Sequence, residues 1–245
     1  MNYALQTKNL SKVFGGVHAV DHLSISILKG KITGIIGPNG SGKTTLTNVL
    51  TGFHEIDGGV VAVSAEKEHE RINSYEVRSL GMTRTFQNIR VFEQMSVLDN
   101  ILVVLTERGV FASLFQAHGA FHESQAQSVL MRVGLWEKRH ENAANLSYGQ
   151  RKLLEIARAL AVNADIIFFD EPYAGLFPEM VKLVSTIMQE LRDTGKTVVL
   201  IEHDMALIRE LCDHVIVLEA GTLLAEGKPE EVLSNSKVIE AYLGA

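Results

Sequence analysis

Gly37-Pro38-Asn39-Gly40-Ser41-Gly42-Lys43-Thr44 decides the fold class of this chain. It fits G-x-x-x-x-G-K-[ST] at every position, a loop whose glycines let backbone N–H groups close around phosphates. In that reading Lys43 reaches the β- and γ-phosphates of a nucleotide, and the Thr44 hydroxyl ligates Mg²⁺. Both flanks agree with it. The apolar run Ile32 to Ile36 predicts a strand entering the loop, and Thr44 to Thr51 a helix leaving it. A glycine-rich turn with an accidental lysine would not need that context.

Further along, Ile166-Ile167-Phe168-Phe169-Asp170-Glu171 places two carboxylates at the end of an apolar strand. In a parallel sheet the strand ends border the ligand crevice. Asp170 is placed to hold Mg²⁺ through water, and Glu171 to orient and deprotonate an attacking water. On residue type alone the pair also fits a plain strand-end turn. Between these motifs, Leu146-Ser147-Tyr148-Gly149-Gln150 precedes a strongly helical run, Arg151 to Val162. A small hydroxyl, a glycine and a helix N-terminus make an anion-binding end. The chain thus holds a second phosphate-binding element with no obvious phosphate of its own.

Around these anchors the pattern is that of an α/β protein. Residues 3–28 alternate in strand fashion and hold two or three strands, Val60 to Val63 is another, and Gly81 to Phe86 predicts a strand ending at Gln87. Residues 97–135 are mostly helical by period, with breaks near Gly109 and Gly119. Strand–helix alternation returns with Ile166–Phe169, Glu179–Arg192, Thr197–Ile201, Ala206–Leu211 and Val215–Leu218, which implies a mainly parallel sheet. The tail from Pro229 to Leu243 reads as two short helices.

Composition narrows the class further. The 245 residues suffice for one α/β domain with an appended subdomain. The single cysteine, Cys212, excludes an internal disulfide and fits a reducing compartment. The N-terminal residues lack a basic segment followed by an apolar one, so no secretion signal is expected. No apolar run approaches the roughly 18 residues of a membrane span. A net charge of −6 argues against a nucleic-acid footprint. His118, His122 and Glu123 have helical spacing, but no third metal ligand is evident.

Taken together these motifs resemble the ATP-binding-cassette (ABC) ATPases, from about Leu5 to about Gly227. The pentapeptide is the family's most specific mark and reads LSYGQ where LSGGQ is commoner, so Tyr148 is a departure. The resemblance implies a P-loop cassette of one domain, 1–245. Its mainly parallel core and N-terminal antiparallel β subdomain would occupy 1–87 and 163–245, with a helical subdomain at about 88–162. It implies ATP and Mg²⁺ as cofactors. Gly37, Pro38, Asn39, Gly40, Ser41, Gly42, Lys43, Thr44 and Thr45 would surround the nucleotide. Phe14 matches the aromatic that stacks on adenine. Gln87 matches the glutamine that touches Mg²⁺ and water and signals to the transport partner, and His203 the histidine that senses the γ-phosphate. By type alone Phe14 also fits a core aromatic and Gln87 a solvated strand end. Ala174-Gly175-Leu176-Phe177 lies where the family's D-loop belongs, with Phe177 where Asp or Asn is usual.

In this family two cassettes meet head to tail, so Ser147, Gly149 and Gln150 of one protomer would cover the γ-phosphate held by the other. The stretches Thr83 to Arg90, Leu153 to Leu160, Glu202 to Met205 and Val238 to Gly244 resemble the importers of branched-chain and other hydrophobic amino acids. The partners implied are a second ATP-binding subunit (homo- or heterodimer), a transmembrane permease and, indirectly, an extracytoplasmic solute-binding protein. No nucleic acid is expected, and the place is the cytoplasmic face of the membrane. Urea and amide importers share most of these marks. A soluble ABC ATPase acting on nucleic acid or ribosomes is the alternative of a different class.

Overall fold

The computed structural model describes residues 3–64, 67–106 and 118–243. In chain order its first strands are β1 (Tyr3–Phe14), β2 (Val17–Leu23), β3 (Ser26–Leu28) and β4 (Ile32–Ile36), followed by helix α1 (Lys43–Leu50). Then come β5 (Gly58–Val63), β6 (Lys67–His69), β7 (Met82–Arg84) and the helices α2 (Val97–Leu105), α3 (His118–Arg132) and α4 (Tyr148–Ala161). The remainder is β8 (Ile166–Asp170), α5 (Pro178–Asp193), β9 (Thr197–Ile201), α6 (Met205–Leu211), β10 (His214–Glu219), β11 (Thr222–Gly227), α7 (Pro229–Leu233) and α8 (Ser236–Leu243).

Contacts divide the chain into two units. The first comprises residues up to Arg84, Ala164–Glu171 and Met188 onward; the second comprises Thr85–Asn163 and Pro172–Ile187. The second unit therefore includes a stretch, 172–187, that the 88–162 boundary leaves in the core.

Two sheets build the first unit. The larger has the order β11-β10-β4-β9-β8-β7, with every pairing parallel except β10–β11. Strands β4, β8 and β9 are buried at every position. That is why they read as unbroken apolar runs rather than alternating ones: a parallel strand covered on both faces has no solvent side. The second sheet is antiparallel, with β1 pairing β2, β3 and β5, and β5 pairing β6. Leu5, Leu10 and Ile27 of this sheet share one apolar cluster with Ile35, Leu46 and Phe168.

Register explains where chemistry can collect. Ile35 lies opposite Ile201, Ile201 opposite Asp170, and Ile36 opposite Val217. Strands β4, β8 and β9 therefore end together, and the segments starting at Gly37, Glu171 and Glu202 leave from one edge of the sheet.

The second unit is helical. Ser96 caps α2, accepting a hydrogen bond from the Asp99 amide. Buried Asn100 ties that helix to the chain before it, donating to the carbonyls of Phe92 and Ser96. Helix α3 runs from His118, one residue before the break expected near Gly119. One expectation is corrected. The strand expected from Gly81 to Phe86 is only Met82–Arg84. Gly81 has a left-handed φ of 71° and serves as the turn before it. The expected break near Gly109 lies outside the described residues.

Candidate nucleotide site and a second anion-binding helix end

In the first unit the loop from Gly37 to Lys43 is shaped by its glycines. A Cβ on Gly37 would stand 2.2 Å from the Leu218 carbonyl oxygen, and one on Gly42 would stand 2.3 Å from that of Ala19. Only glycine allows backbone to approach backbone so closely. Gly42 caps α1 in the left-handed conformation (φ 99°) with no side-chain bond, and α1 has no acid in its first turn. The first-turn amides are thus left for an external acceptor, at the positive end of the helix dipole. Asn39, Gly40 and Thr44 are exposed, Pro38 and Thr45 half-buried, and Ser41 buried.

Lys43 curls back over its own loop. Its Nζ donates to the carbonyls of Gly37 (2.7 Å) and Pro38 (3.0 Å), with Ser41 Oγ at 3.4 Å. Burial pulls the Lys43 pKa below the ordinary lysine value, while the charges of Glu171 and Asp170 oppose that shift. The lysine and both carboxylates are therefore electrostatic neighbours, as the register requires. Asp170 is 2% exposed. Glu171 is half-buried and has a left-handed φ of 45°, rare for a non-glycine residue. Its amide donates to the Ile201 carbonyl at 3.0 Å, which fixes the turn at the end of β8 against β9.

His203 is exposed, and its loop is held by the residue before it. The buried Glu202 carboxylate accepts from the amides of His203 (2.9 Å) and Asp204 (3.4 Å). Phe14 is an exposed aromatic rather than a core one. Its ring meets His54 edge-on at 5.1 Å and lies 5.2 Å from Lys12 Nζ.

One residue of this site escaped the sequence reading. Arg84 is 5% exposed at its side chain and bonds Asp170 Oδ2 through Nη2 at 2.9 Å. Its Nη1 donates to Asn48 Oδ1 and Thr51 Oγ1, both at 2.8 Å. The guanidinium thus braces the buried carboxylate of β8 against the C-terminal half of α1. The available signal was a charge, Arg84, within the stretch Gly81 to Phe86 that reads as a strand. Such a charge needs a partner, but nothing local says which.

The second unit carries Gln87, Ser147, Gly149 and Gln150. Gln87 and Ser147 are exposed, Gly149 is buried and Gln150 half-buried. A capping box opens α4. Ser147 Oγ accepts from the Gln150 amide at 3.3 Å, and Gln150 Oε1 accepts from the Ser147 amide at 3.1 Å. Two consecutive residues of α4 then bear on the first turn of α5 and the segment before it. A Cβ on Gly149 would meet Met180 Sδ at 2.7 Å. A Cβ on Gly175 would meet Tyr148 Cε1 at 2.8 Å, so that glycine leaves room for the tyrosine ring. Phe177 is 71% exposed, and its carbonyl accepts from the amides of Met180 and Val181 at the start of α5.

Comparison with known proteins decides the family. A model described as "ABC transporter" matches residues 20–174. The chain belongs to the ABC transporter family. It is an ATP-binding cassette and an ATPase. A second model, "Branched-chain amino acid ATP-binding cassette transporter", matches residues 222–245. The high-affinity branched-chain amino acid transport ATP-binding protein LivG of Salmonella typhimurium is 39% identical, covering 98% of this chain and 97% of its own. BraF of Pseudomonas aeruginosa, which has the same descriptive name, is 37% identical over the same shares. Among solved structures, the ADP conformation of the cassette MJ1267 superposes with a TM-score of 0.85 at 36% identity, covering all of both chains. A dimeric post-hydrolysis cassette, MJ0796 with ADP and Pi, gives 0.80 at 25% identity, covering 92% of this chain and 98% of its own. The ABC cassette has, among its described residues, no helix long and apolar enough to cross a membrane.

Proposed function

We propose that this ABC ATPase drives an importer of branched-chain or other hydrophobic amino acids, docked on permease subunits at the cytoplasmic face of the membrane. The observation that carries this reading is the end-to-end likeness to LivG, joined to the match of residues 222–245 with the branched-chain amino acid model. In the reaction, nucleotide phosphates enter the Gly37–Lys43 loop and compete with the Gly37 and Pro38 carbonyls for the Lys43 ammonium. An ionised phosphate oxygen makes the stronger, charge-assisted bond. Glu171 orients and deprotonates the attacking water, His203 contacts the γ-phosphate, and Phe14 offers its ring to adenine.

Mg²⁺ prefers hard oxygen donors, and the Thr44 hydroxyl and Asp170 carboxylate are of that kind. Held by those residues, it would supply positive charge that offsets the negative charge of the nucleotide phosphates. Gln87 is assigned the signal to the permease.

The cassette works as a head-to-tail dimer in this proposal. Ser147, Gly149 and Gln150 of a second subunit complete the γ-phosphate's ligands, so ATP favours the closed state and hydrolysis releases it. The test is reconstitution of the cassette with its permease and solute-binding protein in liposomes. Leucine, isoleucine or valine should stimulate ATP hydrolysis and accumulate inside. Stimulation by urea or amides alone, or by nucleic acid without a permease, would overturn the assignment.

A further inference from the structure

Helix α4 holds three ionic side chains at i, i+3 and i+6, and all three bond the same short backbone segment. Lys152 is 0% exposed. Its Nζ donates to the carbonyls of Phe86 (2.9 Å) and Gln87 (3.3 Å). Glu155 is buried as well, and its Oε1 accepts from the amides of Phe86 (3.1 Å) and Arg90 (3.3 Å). Arg158 donates to the Arg90 carbonyl. The Lys152 ammonium and the Glu155 Oε2 lie 3.8 Å apart, so the two buried charges face each other.

These contacts bracket Gln87 on both sides while its side chain stays exposed. The segment has left β7 and lies outside any strand or helix, so its backbone groups need partners from elsewhere. A surface loop normally finds them in water. Here they are found in a lysine and a glutamate taken out of water, which is costly unless each charge is matched. Desolvation pushes the Glu155 carboxyl above its ordinary value, against the pull of Lys152, the two amides and Arg158. What such an arrangement supplies is a single conformation rather than apolar burial.

We propose that Lys152, Glu155 and Arg158 are positioning residues that make the backbone around Gln87 a rigid extension of α4. Lys152 stands five residues from the Ser147 cap, about 7.5 Å along the helix. Any displacement of the anion-binding end of α4 is thereby carried to Gln87. The importance of that coupling rests on the function proposed above for Gln87, whereas the clamp itself rests only on these contacts.

The test uses the full chain and two variants. Glu155→Leu alone leaves the Lys152 charge buried without its counter-charge, and the protein should lose stability. Lys152→Met with Glu155→Leu removes both charges, and thermal stability should return to near the parent value, as apolar replacement of buried pairs commonly allows. In this double variant the amides of Phe86 and Arg90 should exchange with solvent at least about tenfold faster, with ATP binding kept. The effects of Ser147→Ala and Gln87→Ala on kcat, non-additive in the parent, should become additive in it. Parent-like protection of those amides, or persistent non-additivity, would overturn the clamp. Faster exchange with a Gln87→Ala protein that hydrolyses ATP normally would uphold the clamp and remove the role given to Gln87.

Discussion

Helices α1 and α4 both begin with an end suited to an anion, yet they treat their first-turn amides in opposite ways. Gly42 caps α1 with no side chain, and Lys43 lies over the loop, beside Asp170 and Glu171. At α4 the Ser147 hydroxyl and the Gln150 side chain satisfy each other's backbone partners, and the end is exposed. The first arrangement keeps donors and a cation ready for a phosphate that enters from solvent. At the second, the Ser147 and Gln150 amides are already paired, so a ligand that takes them must compete with a cap worth roughly 1 kcal/mol. Such an end suits a phosphate that other groups already hold in place, which is the role proposed for it between subunits.

The contrast can be broken by mutation, and the chemistry should suffer most. Glu171→Gln should lower turnover by about 10²–10⁴-fold, the usual contribution of a general base. It should also leave a dimer on size exclusion in ATP and Mg²⁺; a protein that stays monomeric under all ATP conditions would count against the two-sided site. Lys43→Ala should cost about 10²–10³-fold in phosphate release, with little change in thermal stability, because its ammonium, among the described residues, hydrogen-bonds within its own loop. Wild-type turnover in that variant would remove the loop from the site.

Ser147→Ala should behave the other way round. It loses the capping bond, so stability should fall by about 1 kcal/mol in a urea titration, with affinity for the first nucleotide unchanged. Loss of monomeric ATP affinity would show that α4 acts within its own chain.

Smaller effects should report the two departures from the family pattern. Gly175→Ala forces a Cβ toward the Tyr148 ring at a left-handed φ of 71°, and should destabilise by more than about 1 kcal/mol. Tyr148→Gly should relieve part of that, giving a coupling energy of about 0.5 kcal/mol or more in a double-mutant cycle; strict additivity would mean the ring does not bear on Gly175. Phe177→Asp should leave stability within about 0.5 kcal/mol, since the ring is largely exposed, while changing the Hill coefficient for ATP. An unchanged coefficient would show that this side chain plays no part in communication between sites.

Much of the fold was legible because its signals are contiguous. The runs Ile32 to Ile36, Ile166 to Phe169 and Thr197 to Ile201 announce doubly covered strands, and the structure places strands there. Strands β6 and β11 were not foreseen. Neither is apolar enough to declare itself: β6 is a three-residue edge, Lys67–His69, and β11 is a half-buried hairpin partner of β10. Pairing with a neighbour, rather than composition, makes them strands. Phe14 was legible by position but not by type, since its exposure depends on where β1 turns into β2.

The sequence by itself determined the phosphate loop, the paired carboxylates at Asp170 and Glu171, and the α4 cap. Each of these is built from residues a few positions apart, and short-range geometry suffices to form them. Tertiary structure alone decided that Arg84 would meet Asp170, 86 positions away, and that Lys152 and Glu155 would grip the backbone around Gln87 from more than 60 positions away. Sequence can show that a buried charge requires a partner. Which partner it finds depends on strand register and helix packing, which bring distant segments together only once the chain has folded.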